Sequence, residues 1–251
     1  MHNVVYVLCS LSTTVMRFNA TTHQRLTDFE VNGMMSPHNI AACERSSRLY
    51  IADWECVWRV SADGADIRRW LPATPSDRIS PWTLSVTSTR LLVTLPDVKQ
   101  LVQFDAGGNE LLRVQLPCHF VPRHAIQSPA GTLIVSLADT DLDQDQVCEV
   151  NMDGELLRQF SGSHLPSLRW PDHLDIDSRG NIFVADTYSQ RILLLDARLR
   201  LRRLIVDEHQ LHSKPLRGLC YVEQTGHLLV ALDDGIAVFC LAQSLGKTLV
   251  G

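Results

Sequence analysis

Residues 170–201 read WPDHLDIDSRGNIFVADTYSQRILLLDARLRL, with apolar and polar positions alternating through most of the stretch. Period-two alternation marks a strand with one buried face. The pattern stops at Ser178-Arg179-Gly180 and again after Ala185-Asp186, where turn-forming residues take over. It predicts strands over 174–177, 181–185 and 191–196, and a fourth over Leu201–Val206. An antiparallel unit this small has two faces to cover and is not stable alone in water. Copies of it are therefore expected.

The chain supplies them. A proline precedes the first strand of each unit: Pro37, Pro81, Pro122, Pro171 and Pro215, separated by 44, 41, 49 and 44 residues. A second strand follows (RLYIAD, RLLVTL, TLIVSLAD, NIFVAD, HLLVAL), then a third (CVWRVSADG, KQLVQFDAGG, QVCEVNMDG, RILLLDARL, IAVFCL), and all but the last unit add a fourth. Four strands per period of roughly 40 to 50 residues is the pattern of a β-propeller blade. Ahead of Pro37, NVVYVLC, VMRFNA and RLTDFEV read as the second, third and fourth strands of one more unit. The expected fold is all-β: one β-propeller domain of six four-stranded blades at 1–34, 35–78, 79–119, 120–165, 166–210 and 211–251, the first and last incomplete. The innermost strand of the first blade would have to precede residue 1, as in a truncated product. The tail GKTLVG, 246–251, could complete the last blade or pair with the first.

The recurring P-x-x-[IL]-x-[IV]-x-x-x-G-x-[IL]-[YF]-V-A-D-x-x-x-x-R-[IV], clearest over 171–192 and next over 37–60, resembles the NHL-repeat β-propeller family. The tripartite-motif propellers belong to that family. Peptide-amidating lyases and gluconolactonase-type propellers are more distantly similar. The fold is what the resemblance implies most directly, because propellers host many unrelated functions. In the family such propellers often sit behind ubiquitin-ligase or coiled-coil modules, which implies a larger multidomain protein. These 251 residues carry no RING, B-box or heptad segment, so ligase activity is not expected of them.

In a blade, the loop before strand one and the loop between strands two and three open on one face. The first set of loops brings His38, Asn39, Trp82, Thr83, Arg123, His124, Asp172, His173, Leu216 and Arg217. The second brings Asp53, Trp54, Asp97, Lys99, Asp139, Asp141, Asp143, Asp145, Asp186, Tyr188, Asp233 and Asp234. The expected binding face is His38, Asn39, Trp54, Trp82, Arg123, His124, Asp172, His173, Tyr188 and Arg217, with an acidic rim. Trp58, Trp70 and Trp170 are expected to pack between blades. Trp54 and Trp82 on loops beside arginine have the character of protein-binding hot spots.

Three other chemistries compete. His38, His124 and His173 would make an open zinc site if they converged. Only PHNI matches the Pro-His-x-[LI] setting of the amidating lyases, so the resemblance carries over to His38 alone. Arg123 and Asp172 hold the corresponding positions in their units. Asp139, Asp141 and Asp143 keep the D-x-D-x-D spacing of a calcium loop, but Gln144 stands where glycine is expected and Val150 where the twelfth-position glutamate belongs. No metal or other cofactor is therefore expected. RNA binding needs clustered Lys and Arg, whereas this face offers Lys99, Arg123 and Arg217 among many aspartates. The densest basic run, DARLRLRRL, falls on outer strands, where arginines keep a sheet edge soluble.

Composition agrees. The net charge is −5 and the pI 6.0, against a binder driven by bulk positive charge. Seven cysteines without a C-x-x-C pair, among them Cys9, Cys43, Cys148, Cys220 and Cys240 in or beside apolar runs, read as buried hydrophobes in a reducing compartment. No apolar run approaches the roughly eighteen residues of a membrane span, and the start lacks a basic signal-peptide region. The expectation is a cytoplasmic, non-catalytic platform for protein or peptide. The alternative is a metal-dependent lyase or lactonase with its site at the channel mouth.

Overall fold

The computed structural model describes residues 4–9, 12–72, 79–141, 144–162, 167–211 and 214–241. Their strands fall in chain order into six antiparallel sheets. The first holds β1 (Val4–Leu8), β2 (Thr14–Asn19) and β3 (Phe29–Glu30); the second β4 (Asn39–Cys43), β5 (Arg48–Asp53), β6 (Cys56–Ser61) and β7 (Ile67–Leu71). The third holds β8 (Thr83–Thr87), β9 (Arg90–Leu95), β10 (Gln100–Phe104) and β11 (Glu110–Gln115). The fourth holds β12 (Phe120–Gln127), β13 (Leu133–Asp139), β14 (Gln144–Val150) and β15 (Leu156–Phe160). The fifth is β16 (Pro171–Ile176), β17 (Ile182–Asp186), β18 (Arg191–Leu195) and β19 (Leu201–Val206); the sixth is β20 (Leu216–Val222), β21 (His227–Leu232) and β22 (Gly235–Cys240). The fold class is the six-bladed β-propeller. The first and last sheets have three described strands each; the tail 246–251 lies outside the described residues.

Two compact units can be distinguished: 1–127 with 151–155, and 128–150 with 156–251. In the first unit, β5 is buried on both faces. Leu49 and Ile51 pack with Val15, Val31 and Val60, while Tyr50 and Ala52 pack with Leu84, Val93 and Trp70. Here β4, β8 and β12 are successive neighbours. In the second unit, Phe183 and Ala185 of β17 pack with Leu216, Leu228 and Val230, and β16 neighbours β20. The two middle strands of a sheet read as near-continuous apolar runs because both faces are covered, and each buried Leu, Val or Phe contributes roughly 1.5–3 kcal/mol. The fourth strands β7, β11, β15 and β19 alternate or stay exposed, which is why they tolerate arginines.

One element differs from expectation. β16 begins at Pro171, three residues before the predicted start, because a bulge lets the strand continue. Pro171 pairs Asp186, His173 pairs Ala185, and Asp172 is the extra residue. Leu216 and Gly218 flank Arg217 in the same way.

Candidate functional site

In the first unit the site is built on Asp53 at the end of β5. This carboxylate is buried. One oxygen accepts from the backbone N–H of Ser36 (2.6 Å) and Trp54 (2.9 Å), the other from Met35 N–H (3.0 Å) and Trp58 Nε1–H (3.1 Å). Burial pushes the Asp53 carboxyl up, but the four hydrogen bonds outweigh it and hold it below its ordinary value. Asp53 therefore does not belong to a solvated rim. It ties the loop that leads into β4 to the β5–β6 turn.

Large apolar side chains on those two segments and on their counterparts in the third sheet are exposed. Met35 is 85% exposed, Trp54 66%, Trp82 49% and Val98 52%. Met35 and Trp82 precede β4 and β8, while Trp54 and Val98 sit in the β5–β6 and β9–β10 turns, at the same end of two neighbouring sheets. His38 joins the sheets: its ring lies 5.3 Å from that of Trp82. Its Nδ1 is 2.9 Å from the Ser36 carbonyl oxygen and its Nε2 2.8 Å from that of Pro81. Sequence reasoning places Trp54 and Trp82 here and misses Met35 and Val98. Met35 had a signal, since it directly precedes Ser36-Pro37.

Asn39 and Thr83 hold strands together. Asn39 Oδ1 accepts from Leu84 N–H (2.9 Å), and the Thr83 hydroxyl donates to the Arg123 carbonyl (2.7 Å). His124, expected on the exposed face, is buried, with Nε2 3.4 Å from the Leu84 carbonyl. Its register turns it into the β8–β12 contact. Arg123, one residue earlier, is half-buried.

In the second unit Asp186 ends β17 as Asp53 ends β5, and it too is buried. It accepts from Arg169 N–H (2.8 Å) and pairs with Arg191 at 2.7 Å, whose guanidinium also donates to the Ser167 carbonyl (3.1 Å). Burial raises the Asp186 carboxyl above its ordinary value, and Arg169 N–H and Arg191 oppose that shift. Trp170, expected to pack between blades, is instead exposed against Tyr188, with ring centroids 5.7 Å apart. The Arg169 guanidinium lies 3.9 Å above the Tyr188 ring. The outward turn of Trp170 follows from its backbone: φ is 59°, and its N–H donates to Asp145 (2.7 Å). Trp70 packs as expected, against Tyr50 and Phe104 in the first unit.

The remaining candidates of this unit line β16 and β20. Asp172 is half-exposed at its bulge, and Arg217 pairs with Asp233 at 2.5 Å. Burial pushes the His173 imidazole down to about 4, against a backbone contact with Arg217, so the ring is neutral near pH 7. Burial pushes Asp175 up to about 6; Asp175 accepts from Tyr221 N–H (2.7 Å). Cys43 and Cys148 are buried as expected, and Cys56 is buried too, but Cys220 and Cys240 are exposed and Cys9 is intermediate.

A metal does not fit these residues. Both ring nitrogens of His38 face carbonyl oxygens, and His124 is turned inward. Asp139 is buried, accepting from Asp141 N–H (3.0 Å) and the Gln146 amide (3.1 Å); Asp143 lies outside the described residues. Among the described residues no three His, Cys, Asp or Glu side chains are grouped as a metal would require. Arg217 and Lys214 of the second unit pair with Asp233 and Asp234. No helix among the described residues is long and apolar enough to cross a membrane.

No family model and no curated protein matches the chain. Solved structures do. A Bacteroides caccae protein of unknown function is 16% identical with a TM-score of 0.66, covering 90% of this chain and 81% of that one. A catalytically inactive H270A virginiamycin B lyase from Staphylococcus aureus, solved with quinupristin, is 12% identical with a TM-score of 0.63, covering 94% and 75%. Kuenenia stuttgartiensis hydrazine synthase is 11% identical with a TM-score of 0.65, covering 96% and 93%. At these identities the likeness shows the fold alone.

Proposed function

We infer that the protein is a non-catalytic binding platform of NHL-repeat type. Its ligand is a peptide segment bearing apolar or aromatic side chains, docked on the face formed by Met35, Trp54, Trp82 and Val98 around His38. The observation that carries this reading is the exposure of four large apolar side chains at one end of two neighbouring sheets. Large side chains left in water as a group mark an interaction surface, whereas isolated ones do not. Tryptophan anchors with a buried polar support are what concentrate binding energy in protein interfaces. The NHL assignment draws on the repeat pattern and on the shared role of its Ala-Asp step: Asp53 and Asp186 each fasten the loop leading into their own blade. A reducing compartment such as the cytoplasm suits seven cysteines that include exposed thiols.

The test is selection from a random peptide library on the immobilised wild-type protein, followed by titration of the recovered peptides. Recovered sequences should be rich in aromatic and large apolar residues. Trp54→Ala and Trp82→Ala should each weaken them by tenfold or more, about 1.4 kcal/mol. Peptides that bind both variants as tightly as wild type would overturn the assignment.

A further inference from the structure

At the opposite end of the fifth sheet, away from Trp170 and Tyr188, the β16–β17 turn, the β18–β19 turn and the start of β19 line an open recess of about 340 Å³. Three arginines line it from three different segments: Arg179, Arg198 and Arg202, together with Asp177, Asn181 and Asp196. Two of them belong to the basic run and the third to the Ser-Arg-Gly turn. Solubility of a sheet edge accounts for arginines that fan outward. It does not account for three that line one recess.

The recess carboxylates are engaged by their own turns and offset two of the three arginine charges, which leaves the lining one charge positive. Asp177 accepts from Arg179 N–H (3.0 Å), Asn181 N–H (2.7 Å) and the Asn181 amide (2.7 Å), which closes its own turn. Asp196 does the same for its turn through Arg198 N–H (2.8 Å) and Arg200 N–H (3.0 Å). Glu223, the next carboxylate on this side, is held by Ser178. Among the described residues, Arg179, Arg198 and Arg202 have no ion-pair partner, and Arg202 makes one hydrogen bond, to Asn181 Oδ1 at 3.3 Å. Arg191, Arg158 and Arg217 of the same unit all sit in ion pairs.

We propose that this recess binds a phosphate monoester of small-molecule size. Guanidinium groups offer forked donors that match phosphate oxygens, and three without ion-pair partners among the described residues beside one recess suit the three terminal oxygens of a phosphate ester. The volume exceeds that of a bare phosphate and lies at the small end of ligand pockets. A nucleic-acid backbone tracks along an extended charged groove, whereas this recess is confined to two turns of one sheet, which favours the terminal ester. The site shares no residue with the apolar face and stands without the peptide reading.

The experiment is a ³¹P NMR titration of the whole protein into glycerol phosphate, with parallel arms using a phosphoserine peptide and a short single-stranded RNA. Wild type should give a saturable shift of the monoester resonance. Arg198→Gln and Arg179→Gln should each weaken it about tenfold, the loss expected for one charge-assisted contact. Both side chains are exposed, so these variants keep the fold; Arg68→Gln, on the first unit, should bind as wild type. If the phosphoserine arm competes equally, the natural source includes phosphorylated protein; if not, it is a free metabolite. A wild-type protein that gives no saturable shift, variants that bind unchanged, or binding of RNA without the monoester would each overturn the proposal.

Discussion

Replacing Asp53 by Asn removes one charge and almost no volume, so its consequence is set by hydrogen bonding. The carboxylate receives four donors, two on each oxygen. An amide keeps one oxygen and turns an NH₂ group toward the other two donors, one of them Met35 N–H or Ser36 N–H in either orientation. Hydrogen bonds to a charged group are worth roughly 1.5–3 kcal/mol each, and two are lost. Water can reach the freed loop and recover part of that, which leaves about 3 kcal/mol. Urea unfolding followed by tryptophan fluorescence should show the midpoint falling at unchanged slope. Acid sharpens the test. Because the folded-state pKa of Asp53 is depressed, its contribution is complete above the ordinary carboxylate range and is lost as pH falls through the folded value. Asp53→Asn should therefore be destabilised near neutral pH and converge on wild type in acid. A loss below about 0.5 kcal/mol at neutral pH, within the ordinary scatter of surface substitutions, would refute the claim that Asp53 fastens the apolar face.

Arg191→Met leaves the Asp186 carboxylate buried with no cation beside it, and should cost about 3–5 kcal/mol in urea unfolding; Arg68→Met, whose pair with Asp66 is solvent-exposed on both sides, should cost far less. His173 and Asp175 act against each other between about pH 4 and 6. The depressed histidine loses stability as pH falls below its unfolded value, while the raised carboxyl gains stability as pH falls through its folded value. Asp175→Asn should then lose stability on acidification over that window, and His173→Gln should gain it, each relative to wild type, by thermal melting. Gly154 has φ +85° and an added Cβ would lie 2.5 Å from the Gln115 carbonyl oxygen, whereas Gly131 at φ +89° has open space around it. Gly154→Ala should lower the melting temperature more than Gly131→Ala, which carries only the conformational penalty of roughly 1 kcal/mol.

The repeat was legible because propeller strands announce themselves through periodicity. RLYIAD and NIFVAD are buried on both faces and read as apolar runs, and Pro37 and Pro171 mark where their sheets begin. The destinations of the polar side chains were not legible. Asp53, Asp139 and Asp186 look like rim residues in the sequence, because an aspartate after a strand ordinarily faces water. What buries them is a set of N–H groups from loops up to eighteen residues away. Trp170 reads as a junction residue until its left-handed backbone turns the ring outward, and His124 reads as a loop histidine until the register of β12 carries it inside. Arg198 and Arg202 look like edge protection because a linear run cannot reveal which of its members share a cavity with Arg179.

The central claim is that Met35, Trp54, Trp82 and Val98 form one docking face, and hydrogen exchange with and without a library-selected peptide tests it most directly. Bound peptide should slow exchange at 33–39, 53–57, 80–84 and 96–100 together while leaving the outer strands β7 and β11 unchanged. Protection confined to those outer strands, or spread evenly over the chain, would contradict it.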